Sequence, residues 1–278
     1  MTSATSESAP VCELFGVPIH ALTMHQVLAA VDQAIRQRER LRIGVVNVAK
    51  MVNMQRDAEL AESVLTSDLV LADGMGVVWA SRILRVRLPE RVPGIDLMMR
   101  MLEQGASRGY RVYCLGATAE VLSTVVERIR QRFPGVVVAG AQHGYFTDEE
   151  EARVASDIRS AAADILFVAM TSPKKERFLA RWGDEMAVPV CHGVGGSFDV
   201  LAGKVKRAPA VWQRFGLEWL YRVVQEPRRM WRRYLVTNTA FGWMVLRAML
   251  CPRRSGKPRE GRRGEVRGAA DPIERGGE

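Results

Sequence analysis

Apolar residues in this chain fall in short dense runs separated by longer stretches with helical spacing. The runs at 42–48, 69–72, 111–116, 136–140, 164–170 and 188–196 are rich in valine, isoleucine and leucine, and most end at Asn, Asp or Gly. Side chains that are apolar on consecutive positions belong to strands buried on both faces. Between them, 23–38, 51–60, 74–84, 94–108, 118–133 and 147–162 read as helices, and 14–19 as a strand or ribbon. Thr118 stands three residues before Val121, Pro134-Gly135 ends that helix, and Thr147 with Glu150 forms a capping box. Strands that alternate with helices of about 10–15 residues pair in parallel and need helices on both faces. The expected architecture is α/β, a Rossmann-like and mostly parallel sheet covered on both sides. No repeat of solenoid length interrupts it.

The pattern changes near residue 203. Trp212, Trp219, Trp231, Leu217, Leu220, Tyr221, Val224, Met230 and Tyr234 interleave with Arg214, Arg222, Arg228, Arg229, Arg232 and Arg233. A largely apolar stretch at 235–250 still holds Thr237, Asn238, Thr239 and Arg247 and is shorter than the roughly 20 residues of a bilayer span. The division expected is an unstructured start (1–12), a catalytic core (13–202), a basic amphipathic helical appendage (203–251) and a disordered Gly/Pro/Arg tail (252–278).

Charge sharpens that division. Residues 1–202 hold 22 Lys and Arg against 24 Asp and Glu, whereas 203–278 hold 18 against 7. The whole excess therefore sits in the last quarter, which implies an anionic partner: nucleic acid, lipid or phosphorylated substrate. The four cysteines form no CxxC pair and read as reduced thiols, and the first ten residues lack the basic and apolar regions of a secretory signal.

Candidate chemistry gathers at strand ends. Leu71-Ala72-Asp73-Gly74-Met75-Gly76 places a carboxylate at the rim of the sheet, where ligands bind in open α/β folds. Local pattern serves a general base and a turn cap equally. Gly193-Val194-Gly195-Gly196-Ser197-Phe198-Asp199 lets the backbone approach a diphosphate and follows it with a carboxylate, although the spacing is not G-x-G-x-x-G. Pro173-Lys174-Lys175-Glu176 puts two lysines at a helix start, a position the helix dipole disfavours unless an anion is bound. His20, His25, His143 and His192 show no metal-ligand spacing, and His192 reads as a core or rim residue rather than a base.

Taken in order, these pieces resemble the WecG/TagA/CpsF glycosyltransferases (glycosyltransferase family 26). The resemblance rests on Asn47, the Asp73 motif, Arg91-Val92-Pro93-Gly94-Ile95-Asp96, Gly144-Tyr145-Phe146, the Lys174 and Asp199 motifs, Ala208-Pro209 with Trp212, and Leu217-Glu218-Trp219-Leu220-Tyr221-Arg222 through Arg229. It implies inverting, metal-independent and cofactor-free transfer from a UDP-sugar to a polyprenyl-diphosphate-linked sugar, peripheral to the cytoplasmic face of the bacterial plasma membrane. The donor sugar would be N-acetylmannosamine, its uronic acid or glucose. By resemblance Asp73 is the base, with Asn47 near the sugars and Arg91 at the site opening. Tyr145, Lys175, Asp199 and the glycines Gly116 and Gly195 would hold the UDP-sugar. Arg222, Arg229 and Arg232 would reach the acceptor diphosphate and an anionic membrane surface. Two positions depart from the family pattern: Val45 stands where threonine is frequent, and Lys175 where glutamine is common. An alternative, a nucleic-acid-binding protein using the Arg/Trp segment, leaves Asp73 and the glycine-rich rim without a purpose. A nicotinamide-dependent oxidoreductase would need a better fingerprint than 193–196. Homo-oligomerisation is open.

Overall fold

A computed structural model describes residues 10–171 and 174–250. Six parallel strands form the central sheet: β3 (Leu41–Val46), β4 (Leu69–Ala72), β5 (Arg111–Gly116), β6 (Val137–Gln142), β7 (Ile165–Ala169) and β8 (Val190–Gly193), in the order β4-β3-β8-β7-β5-β6. Both faces of each central strand are buried, which explains the unbroken apolar runs. Along β7, Ile165 and Phe167 point to one layer while Leu166 and Val168 point to the other. The first layer is built by α1 (Met24–Gln37), α5 (Gly94–Arg108), α6 (Ala119–Arg132) and α9 (Ser197–Leu201). The opposite layer holds α2 (Val48–Met54), α3 (Ala58–Leu65), α4 (Met75–Ile83), α7 (Glu151–Ser160) and α8 (Lys174–Trp182).

Helix boundaries follow their caps. Thr23 and Gln26 form a reciprocal capping box for α1, Thr118 accepts from Val121 N for α6, and Thr147 pairs with Glu150 ahead of α7. The helical pattern expected across 51–60 is in fact two helices. Asp57 takes the Leu60 N–H at 2.9 Å and starts α3 afresh, because a short carboxylate competes with helix continuation. The ribbon at 14–19 is an antiparallel hairpin of β1 (Val11–Leu14) and β2 (Val17–His20), turned at Phe15 and Gly16 with φ of 54° and 80°. Its pairing starts at Val11, inside the stretch expected to be unstructured. The remainder of that stretch and the 252–278 tail lie outside the described residues.

Beyond the sheet come α10 (Ala210–Arg214), α11 (Glu218–Gln225) and α12 (Pro227–Leu250). They lie against the core rather than away from it. The Gly216 backbone lies so close to Met75 and Trp79 of α4 that an added Cβ would come within 2.6 Å of Met75, and α12 packs on α2. Phe241 of α12 is buried and meets the Phe15 ring edge-on at 5.5 Å. Phe241→Ala should cost about 3 kcal/mol of unfolding free energy, the usual loss for a buried aromatic. Urea titration of the full chain checks this; a cost below about 1 kcal/mol would mean that α12 does not rely on the contact.

Candidate active site

Asn47, Asp73, Gly116, Tyr145, Gly195 and Asp199 lie at or beyond the C-terminal ends of the strands, and the arginines singled out from the sequence lie on the segment before α5 and on α11 and α12. β3 leads into α2 on one face while its neighbour β8 leads into α9 on the other, so the chain parts between them and leaves a crevice there. Asn47 follows β3 and Asp73 follows β4. Lys175 lies over Gly193 at the end of β8, 3.4 Å from where a Cβ would stand, and Gly195 and Asp199 follow that strand. Gly116 ends β5, and Tyr145 follows β6 at the far edge.

Asp73 is not the cap of its own turn. Gly74 caps α4 without a side-chain bond, and Asp73 instead accepts from Gly94 N, the first residue of α5, with Oδ1 at 3.2 Å. Among the described residues no hydrogen bond engages its second oxygen, and no basic side chain is ion-paired with it. The carboxylate is set deep in protein while keeping a path to solvent. Burial pushes its pKa up to about 6. The Gly94 N–H opposes the rise, Glu218 adds to it, and Arg222 and Arg91 pull it back.

Asn47 stands next to Asp73 across the β3–β4 pair, where Asp73 N donates to Val46 O at 2.8 Å. Its carboxamide oxygen caps α2 through Lys50 N at 3.0 Å, so the amide nitrogen is the end left to face a ligand. Close passage of these strand ends requires glycine: a Cβ on Gly76 would come within 2.6 Å of Val48 Cγ2. Arg91 Nη1 donates to Glu218 Oε2 of α11 at 3.1 Å, and Arg207 holds Asp96 of α5 at 2.6 Å. The segment after residue 202 therefore contributes charges to the same opening as Asp73, with Arg222 among them.

The other half of the rim is built by close backbone packing. Gly116 has φ of +123° and abuts Ala169 so tightly that a Cβ would lie 2.4 Å from its carbonyl. Gly144 N donates to Ala117 O at 3.0 Å, folding the loop after β6 back over β5. Lys174 Nζ reaches in from α8, donates to the Gly144 and Phe146 carbonyls, and sits 4.0 Å from the Phe146 ring centre. That leaves Tyr145 presented outward, 75% exposed. His192 is wholly buried with Nε2 3.0 Å from Gly94 O, and burial, then the nearby Lys175 and Lys50, lower its pKa to about 4. It is neutral at physiological pH and packs behind the site.

Arg222 and Arg232 are exposed on α11 and α12; the side chain of Arg229 and residue Pro173 lie outside the described residues. The sequence pattern assigns no role to Glu218 or Arg207, and it sets Lys174 with Lys175 toward an anion, whereas Lys174 Nζ is bound to the Gly144 and Phe146 carbonyls. Glu218 did carry a signal, because it stands four residues before Arg222 on one helix and so shares its face. Arg207 is indistinguishable in sequence from a solvated surface charge.

The raised Asp73 pKa has a consequence for stability. The folded state holds this proton more tightly than the unfolded chain, whose value is near 3.8. The contribution of the protonated acid is therefore fully present below about pH 4 and is lost as pH rises through about 6. Asp73→Asn, which keeps an acceptor for Gly94 N, should raise stability above pH 6 by about 1–3 kcal/mol and change it little near pH 4. Denaturant titrations at both pH values check this; a loss of stability at pH 8 would show that the charged form is needed by the fold.

A protein of Bacillus spizizenii named N-acetylglucosaminyldiphosphoundecaprenol N-acetyl-beta-D-mannosaminyltransferase is 41% identical over 175 residues, 63% of this chain and 67% of that protein. The model of the WecG/TagA/CpsF glycosyl transferase family matches residues 12–255, which takes in the six-stranded sheet and the three C-terminal helices. This chain belongs to the WecG/TagA/CpsF family of glycosyl transferases.

Proposed function

We propose that this chain transfers N-acetylmannosamine from its UDP-linked form to a polyprenyl-diphosphate-linked N-acetylglucosamine, with inversion and without a metal ion. The uronic acid of that sugar and glucose are the competing donors. The observation that carries the reading is Asp73: a half-sheltered carboxylate at a strand end, with one oxygen unoccupied, a pKa near 6, and guanidinium groups around the same opening. The name of the Bacillus spizizenii relative supports the transferred sugar and the class of acceptor.

In this reading the acceptor hydroxyl gives its proton to Asp73 as its oxygen bonds to the anomeric carbon. The bond from that carbon to the β-phosphate oxygen breaks on the opposite side, and UDP leaves with the electron pair. Attack opposite the leaving group inverts the anomeric centre. A pKa near 6 suits this work, since the base is ionised at neutral pH yet less acidic than an ordinary aspartate. Lys175 and the backbone around Gly193 and Gly195 would meet the donor diphosphate, with Tyr145 and Asp199 at the uridine and Asn47 at the sugars. Negative charge on the leaving group falls to these cations and backbone amides.

The acceptor is a lipid, and the surface of the C-terminal helices suits one. Trp231, Leu235, Trp243, Leu246 and Leu250 of α12 are exposed, and Arg228, Arg232 and Arg233 accompany them. No described helix is long and apolar enough to cross a bilayer. A helix with exposed tryptophans and arginines fits the membrane interface, where each basic residue adds about 1 kcal/mol on anionic lipid. Docking at the cytoplasmic face would bring Arg222, Arg229 and Arg232 to the acceptor diphosphate.

The test is UDP release from a panel of UDP-sugars with a lipid-diphosphate N-acetylglucosamine acceptor. Release with UDP-N-acetylmannosamine, unaffected by EDTA and rising with pH through about 6, is the expected result. Asp73→Asn should lower it by about 10²–10⁴, and wild-type turnover by that variant would remove Asp73 from the chemistry. A second measurement addresses the surface. Trp231→Ala with Trp243→Ala should lower sedimentation with phosphatidylglycerol vesicles by roughly tenfold, or about 1.4 kcal/mol; unchanged sedimentation would place the membrane contact elsewhere.

A further inference from the structure

Arg91 is tethered beside the base. Val92 N donates to Ala72 O at 2.7 Å and Gly94 N donates to Asp73 Oδ1, so the 91–94 segment is strapped across the end of β4. A guanidinium starting from there has Asp73 as its natural partner in the core. The two are not ion-paired; Arg91 turns instead to Glu218, 127 positions later on α11. Both partners are mostly buried, with side chains 18% and 32% exposed, where leaving either charge alone would be costly.

Glu218 is itself held in place from three sides. The Gly216 turn abuts Met75 and Trp79, Tyr221 N closes the first turn of α11 onto Leu217 O, and Arg207 anchors the preceding segment on Asp96. The charges facing Asp73 are therefore Arg91 from the strap, Glu218 and Arg222 from α11, and Arg207, which is occupied by Asp96.

We propose that Glu218 is a positioning residue that holds Arg91 off Asp73, so that the base stays unneutralised only while the 203–226 segment is docked on the core. Without Glu218, Arg91 would swing to the nearest remaining carboxylate and convert a free base into a salt-bridged one. A guanidinium paired with a carboxylate lowers its pKa and its strength as a base together. The segment that would meet the lipid acceptor thus also decides whether the base can work. The kinetic consequence rests on Asp73 being the base; the ionic exchange does not.

The experiment is a carbon-13 NMR titration of the Asp73 carboxyl in the full chain, wild type against Glu218→Gln, beside pH profiles of kcat/KM for both. The glutamine variant should titrate roughly one unit lower, with the acid limb of activity moving by the same amount and the plateau falling. Glu218→Asp should recover part of both. Measured against Arg91→Met alone, which has no guanidinium to release, adding Glu218→Gln should shift the midpoint much less; a shift as large as in the single variant would show that loss of the Glu218 charge itself, and not release of Arg91, lowers it, and would overturn the proposal. A midpoint that does not move, with activity lowered equally at every pH, would overturn the proposal and leave Glu218 a plain structural contact. A carboxyl titration that moves while the activity profile does not would keep the Glu218 assignment and remove Asp73 as the base. Thermal unfolding of each variant verifies that the comparison is between folded proteins.

Discussion

A carboxylate that is to take a proton must be desolvated enough to be basic and yet not so closely paired that it is neutralised. At Asp73 these demands meet through burial at the end of β4 and one hydrogen bond from Gly94 N, 21 positions away. That bond ties the start of α5 to the strand end and so fixes the strap that carries Arg91. Much of the site's geometry follows. The strap sets where Arg91 begins, Glu218 sets where it ends, and the helices after residue 216 must dock on α4 for Glu218 to be there.

The rim has two halves built on different physical grounds. On the β3–β4 side, charge dominates: Asp73, Arg91, Glu218, Arg207 and Arg222 are distributed over loops and helices from both ends of the chain. On the β8–β5 side, backbone approach dominates. Gly116 lets the Ala169 main chain lie where a side chain would otherwise stand, Gly144 packs closely on Gly116, Lys175 runs alongside Gly193, and Lys174 is used to hold the Tyr145 loop. The proposed function would divide labour between these halves, with the donor held by backbone amides and the acceptor hydroxyl deprotonated by the Asp73 carboxylate.

Asp73 was ambiguous because Asp before Gly serves turns and active sites alike. Only the partner at Gly94, unknowable from a window of neighbouring residues, shows that Asp73 does not cap its own turn. Asp57 shows the opposite case: its signal was present locally, but the run of apolar spacing through Met51, Met54 and Leu60 masked it. Lys174 and Lys175 are adjacent and chemically alike, yet one is spent on carbonyls of the Gly144 loop and the other lies along Gly193. Their α-helical offset of one position sends them to different neighbours.

The sequence by itself determined the parallel sheet, its helical layers, the Thr118 and Thr147 caps and the polar and glycine residues at the strand ends. Those are set by local periodicity, by short polar side chains beside free backbone N–H groups, and by glycine where the chain turns. It also determined that the basic excess lies after residue 202. The tertiary structure decided which charges meet. The Arg91–Glu218 pair, the Arg207–Asp96 anchor and the raised pKa of Asp73 depend on packing α11 and α12 against α4 and α2. Coulomb energies and desolvation depend on distance and burial in space, and separations of over a hundred positions leave no periodic trace in a chain.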